Sequence, residues 1–266
     1  MSKPLAGFFK RKKADLTSAN PQKSAPLEQD AVMQTAGGYS GVYPSQVIVG
    51  CGQSVGMQRD HNEDALYYTT RVLADGQGNE SFGLFILADG MGGHRNGEIA
   101  SAVTCQAISN YILKEFAPKV TDDAHSYSPE EISDIISKAV NEAQKAVLKN
   151  APGGGTTVII ALLTGDQVTV SNVGDSRVYF IHQDGKMQRI TRDHSLVQRL
   201  LDLKEITEAE AEVHPQKNVL LRAVGQPDPF QVDTQTLQFP EGARMLLCSD
   251  GLWGVVEERT IVELVN

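Results

Sequence analysis

Cysteine is scarce in this chain: Cys51, Cys105 and Cys248 are the three in 266 residues. They are too few and too scattered for a disulfide framework or a cysteine-rich zinc site, so a reducing, cytoplasmic setting is expected. No apolar run approaches the ~20 residues that a bilayer-crossing helix needs, and no transmembrane segment is expected. Lys10 to Lys13 form a basic cluster, but no apolar stretch follows it, so the opening residues do not read as a secretory signal. Positive charge is also short: 24 Lys and Arg stand against 33 Asp and Glu, a net −9. Nucleic-acid binding as a main task needs a basic surface, and this balance argues against it.

Charge is not spread evenly. Residues 1–30 carry +3 and the remaining 236 residues −12. Residues 1–45 are rich in Lys, Ser, Ala, Gln and Pro, show no sustained periodicity, and read as a flexible basic tail. The opening PLAGFFKRKK could lay Phe8 and Phe9 on an anionic membrane surface, but a solvated tail is the simpler reading.

From about residue 46 the pattern sharpens into a single domain running to Asn266. QVIVGCGQSVG and ALYYTTRVL read as strands, and SFGLFILAD as a buried one. A helix follows over roughly Gly97 to Phe116, with Ile99, Val103, Ala107, Ile108, Tyr111 and Ile112 on one face. Ser128-Pro-Glu-Glu131 is a capping-box start for a second helix with an Ile132–Val147 apolar stripe. Strands then return: TTVIIALLT turns at Gly165-Asp166 into QVTVSNV, and VYFIHQDGKMQRI reads as a hairpin on Asp184-Gly185. A polar helical stretch over Ser195 to Val213, with Thr207 and Glu210 forming another capping box, two more strands (QVDTQTLQF and ARMLLCSD) and a last amphipathic segment from Glu257 complete the chain. Helices segregated between runs of strands point to an α+β fold with antiparallel sheets, not to βαβ repeats.

The informative feature is where the acids fall. Leu87-Ala-Asp-Gly-Met-Gly-Gly-His94 puts Asp89 where a buried strand runs out, beside glycines that admit close approach of a ligand. Cys248-Ser-Asp-Gly-Leu-Trp253 repeats the arrangement at Asp250, and Asn172-Val-Gly-Asp-Ser-Arg-Val-Tyr179 puts Asp175 in a turn between strands. Arg59-Asp-His-Asn-Glu-Asp64 adds a cation and two adjacent carboxylates. Taken singly, each aspartate is a turn or cap residue more often than a ligand. Gathered at one sheet end they would need cations or protons, because two carboxylates 4 Å apart repel by about 4 kcal/mol at an effective dielectric near 20. Oxygen donors without a His/Cys set suit a hard ion such as Mg²⁺ or Mn²⁺.

These segments resemble the motifs of the PP2C (PPM) family of metal-dependent Ser/Thr protein phosphatases in its bacterial form. VGMQRDHNEDA, LADGMGGH, GGGTT, SNVGDSRVY, ITRDHSLV, EAEVHPQKNVLLRAVG and LLCSDGL occur in family order from about Ser45 onward. The resemblance implies a four-layer α+β architecture, a β-sandwich of two antiparallel sheets flanked by helix pairs. It implies a site for two Mn²⁺ or Mg²⁺ ions, with a third, weaker one. Asp89 would bridge the two, Gly90 would offer its carbonyl, and Asp250 would bind one. Asp64 or its neighbour Glu63 would support the site, and Asp175 would serve the third ion. Arg59 would grip the substrate phosphate, a task its planar fork suits. His94 is the candidate proton donor to the leaving oxygen; an ordinary helix-start histidine is the equal alternative.

The implied partners are phosphoproteins and an opposing Ser/Thr kinase. The family also carries a last metal-binding aspartate at the start of a final strand. This chain stops 16 residues past Asp250, so the expectation is a domain lacking its last strand. Its rival function is a catalytically impaired module that binds phosphoprotein without turnover.

Overall fold

The computed structural model describes residues 47–57, 59–74, 79–92, 95–116, 127–227 and 231–265. The expected basic tail and His94 lie outside them. Two long strands, β1 (Asp64–Ala74) and β2 (Asn79–Met91), open the domain as an antiparallel pair. Two long helices follow, α1 (Arg95–Glu115) and α2 (Pro129–Asn150). Then come β3 (Gly155–Thr156), β4 (Val158–Thr164), β5 (Gln167–Val173), β6 (Arg177–Ile181) and β7 (Met187–Arg189). Short helices α3 (Leu196–Asp202) and α4 (Glu208–Glu212) precede β8 (Asp233–Gln238) and β9 (Arg244–Cys248). The chain closes on α5 (Asp250–Trp253) and α6 (Glu258–Val265).

The strands form two antiparallel sheets. One runs β1-β2-β4-β5-β8 with β3 paired to β2; the other runs β7-β6-β9. Strand β4 lies at the centre, and its Val158–Leu163 run is buried on both faces, as a strand between two packed layers must be. One face, through Val158, Ile160 and Leu162, packs under Ile108 and Ile112 of α1 and Ile136 and Val140 of α2. The other, through Ile159, Ala161 and Leu163, meets Val178 and Phe180 of β6 and Leu247 of β9. Period-two alternation along one strand therefore feeds two separate cores. Helix α2 starts as its sequence requires: Ser128 accepts from the Glu131 N–H, and the Glu131 side chain reaches back to the Ser128 N–H.

Two local expectations need correction. Residues 47–57 form no strand: Ile48 is 95% exposed, and Gly50 and Gly52 interrupt the apolar alternation. Glycine weakens a strand, and nothing pairs with this segment among the described residues. The polar stretch after Ser195 is also not continuous but breaks into α3 and α4. The break is a Schellman turn, in which the Glu205 N–H reaches the Leu200 carbonyl and the Lys204 N–H that of Leu201. Lys204 occupies its left-handed position at φ 58°, where a side chain costs roughly 1 kcal/mol and glycine is at home. Lys204→Gly is expected to hold or raise the melting temperature, by up to about 1 kcal/mol in stability. A loss of more than that in a thermal melt would count against the turn.

Candidate metal centre

The end of the large sheet carries the chemistry. In the β1–β2 ladder Asp64 stands directly opposite Asp89. Like charges in such a pair destabilise a sheet, since their Cβ atoms lie only ~5 Å apart. Asp250, at the start of α5, and Asp175, in the turn between β5 and β6, act on the same place. Burial raises Asp89 to about 8, and the charges of Asp64, Asp250 and Asp175 push the same way. Burial, Asp250 and Asp193 raise Asp175 to about 7. Asp64 is raised chiefly by burial, against hydrogen bonds from Ser249 and Asp89 that favour its charged form. The four aspartates predicted from sequence thus share one field, although their elements are far apart in the chain.

The strand end and turn that carry these aspartates are fixed by their surroundings. The Asp89 N–H donates to Thr157 Oγ1 at 3.1 Å. The Asp89 carbonyl accepts from the Thr157 N–H and from Thr156 Oγ1. Thr157 Oγ1 lies 2.8 Å from Ser176 Oγ, which ties the strand end to the residue after Asp175. Ser249 Oγ donates to Asp64 Oδ2 at 3.1 Å across 185 residues of chain. The Asp175 turn is pinned by His194, whose Nδ1 accepts from the Gly174 N–H at 3.2 Å while Nε2 faces Asp233 Oδ2 at 3.1 Å. Burial lowers this imidazole, and the nearby Arg222 charge acts in the same direction. The neutral ring fits a lone pair turned toward Gly174.

Gly90 lies in β2, with its N–H donating to the Glu63 carbonyl at 3.2 Å. A Cβ there would sit 2.2 Å from the Gly97 carbonyl oxygen, so only glycine lets the first turn of α1 abut the strand end. Ser101 of α1 donates to the same Glu63 carbonyl at 2.6 Å. Arg59 reaches Glu63 Oε2 through Nη1 at 3.0 Å, and its side chain is 63% exposed, free to meet a ligand.

Among the described residues no group of three or more His, Cys, Asp or Glu side chains is already drawn together to hold a metal ion. Burial and mutual repulsion favour the protonated forms of Asp89 and Asp175. Two buried atoms next to Asp64 in the chain, Glu63 Oε1 and Asn62 Nδ2, have no hydrogen-bond partner. An all-oxygen set with excess negative charge and a spare acceptor fits a hard divalent cation. A depression of about 570 Å³ over Pro129, Glu130, Ser133 and β8 contains none of these aspartates.

Residues 51–265 match the protein phosphatase 2C family. The chain belongs to that family. It is 35% identical over 211 residues to the serine/threonine phosphatase stp of Listeria welshimeri, covering 79% of this chain and 80% of that one. The S. agalactiae serine/threonine phosphatase structure superposes with a TM-score of 0.63 at 30% identity, over 79% of this chain and 82% of that one. The catalytic domain of PstP in complex with two manganese ions gives 0.57 at 30% identity, over 78% and 79%. The PP2C member described here is thus a protein-serine/threonine phosphatase by class, with the mixed α/β architecture of its relatives.

Residues that the sequence singled out for no role prove to hold the site. Thr157 and Ser249 sit inside the quoted motifs GGGTT and LLCSDGL, so adjacency to a glycine turn or to Asp250 was the available signal. Trp253 packs against a cation: Arg177 stacks 3.4 Å over its ring.

Proposed function

We propose that this phosphatase hydrolyses phosphoserine and phosphothreonine in proteins with two divalent cations, Mn²⁺ or Mg²⁺, and a weaker third. Asp89, Asp64, Asp250 and the Gly90 carbonyl would hold the pair, and Asp175 the third. The observation that carries this reading is the Asp64–Asp89 pair at the sheet end, in one field with Asp175 and Asp250. When bound, the cations supply a water acidic enough to attack phosphorus at neutral pH and neutralise charge on the phosphoryl oxygens.

The chain's own residues do the rest. Arg59 offers its exposed fork to the phosphate, and Glu63, gripping Nη1 from a largely buried position, fixes where that fork stands. Thr157 and Ser249 fix Asp89 and Asp64 so that no reorganisation is needed when substrate arrives. His94 stays the candidate proton donor to the leaving oxygen. Since phosphoserine and phosphothreonine in proteins are made by kinases, a Ser/Thr kinase is the opposing enzyme we infer, in the cytoplasm.

Mn²⁺-dependent release of phosphate from a phosphothreonine peptide, absent in Asp89→Asn, is the test. Tight peptide binding with no more turnover than that variant would favour the non-catalytic binding module instead. Glu63→Gln is expected to raise KM for the peptide about tenfold, with a smaller change in kcat, because a charge-assisted hydrogen bond of about 1.5 kcal/mol is lost. Steady-state kinetics check this split.

A further inference from the structure

Helix α5 carries Asp250, yet it is only four residues long and poorly fixed by its own backbone. Its N-cap residue, Ser249, makes no side-chain capping bond, because its hydroxyl is directed to Asp64 instead. Something else must set where Asp250 stands. The far end of the helix supplies it: Trp253 lies under the Arg177 guanidinium at 3.4 Å. The indole N–H is buried without a hydrogen-bond partner, so the ring is held by packing and by this stack.

Arg177 is itself locked. Its Nε and Nη2 grip Asp193 in a two-pronged contact of 2.7 to 3.2 Å, and Nη1 donates to Tyr179 Oη at 3.1 Å. The Arg177 and Asp193 side chains are 17% and 5% exposed. Arg177 also sits two residues after Asp175 on β6, directly opposite Cys248 of β9. One side chain therefore touches the elements that bear Asp175 and Asp250.

Resting on the metallophosphatase reading above, we propose that Arg177 is a positioning residue: through Asp193 and the Trp253 stack, it sets the spacing between Asp175 and Asp250, and with it the affinity for divalent cations. Lysine at this position keeps the charge but can neither fork onto Asp193 nor lie flat on the indole. Residues that orient ligands commonly change metal affinity by 10- to 100-fold.

The experiment is Mn²⁺ binding by calorimetry on the full chain, with thermal melts, for the wild type, R177K, W253L and W253F. R177K and W253L should bind Mn²⁺ at least about tenfold more weakly, while W253F, which keeps an aromatic face, should stay near the wild type. Trp253 is the only tryptophan, so its fluorescence should also change as Mg²⁺ loads the wild type, and that change should shift to higher Mg²⁺ in R177K. Wild-type affinity in both R177K and W253L would overturn the proposal and leave the metallophosphatase reading intact. Should R177K fail to fold, W253L decides alone. No Mn²⁺ or Mg²⁺ binding by the wild type would overturn both.

Discussion

Asparagine at position 89 is expected to flatten the pH dependence of stability and to remove the response to metal. In the metal-free protein Asp89 is raised to about 8 by burial and by the charges of Asp64, Asp250 and Asp175. In the unfolded chain it loses its proton near the ordinary 3.8. Between these values the native state binds more protons than the unfolded state, so stability falls as pH rises from about 4 to 8. Asp175, raised to about 7, adds to the loss over the lower part of that window. Asparagine has no proton to release. Without metal, Asp89→Asn should therefore melt above the wild type at pH 8 and lose less stability between pH 5 and 8. Mn²⁺ at a hundred times its dissociation constant should stabilise the wild type by about 2.7 kcal/mol, or ~5–10 °C for a domain of this size. The variant should not move, and its peptide turnover should drop at least about a hundredfold. Melts at several pH values, with chelator and with Mn²⁺, check each part. A metal-free wild type whose melting point did not change with pH would remove the strain on which this rests.

Gly90→Ala should be the most damaging small substitution in the domain. Its Cβ would lie 2.2 and 2.5 Å from the Gly97 carbonyl oxygen and carbon and 2.7 Å from the Glu63 carbonyl oxygen. All three are backbone atoms, so no side chain can swing aside. Either the first turn of α1 or the end of β2 must shift, at a cost of about 3 kcal/mol, or ~6–12 °C in melting temperature. Since Asp89 is the preceding residue, the folded fraction should also answer Mn²⁺ more weakly. A variant melting within 2 °C of the wild type would mean that the helix start is free to retreat.

Legibility followed the range of the interactions. The capping box at Ser128, the hairpin at Asp184-Gly185 and the buried run of β4 are local signals, and each appears where the residues place it. The Val47–Gly56 segment misled because alternation marks a strand only where a neighbouring edge pairs with it. In the Ser195–Val213 stretch the capping box at Thr207 and Glu210 appears where the residues place it; the end of the preceding helix was hidden because a lysine adopts the left-handed turn, a role in which a glycine would have been readable. At the site, strand-end aspartates were visible as acids flanked by glycine. The contacts that hold them join residues far apart in the chain, as with Ser249 and Asp64 or Thr157 and Ser176. Neither side of such a contact is marked in its own neighbourhood. The same holds for Arg177, whose importance depends on Asp193 and Trp253 together.

The central claim is that Asp89 and Asp175 hold protons which divalent cations displace. Its most direct test is calorimetric titration with Mn²⁺ at pH 7 in two buffers of different ionisation enthalpy. The wild type should bind saturably and release protons, the release shrinking as pH rises above 8, and Asp89→Asn should lose most of both binding and release. Saturable Mn²⁺ binding without proton release, or binding undiminished in Asp89→Asn, would contradict it.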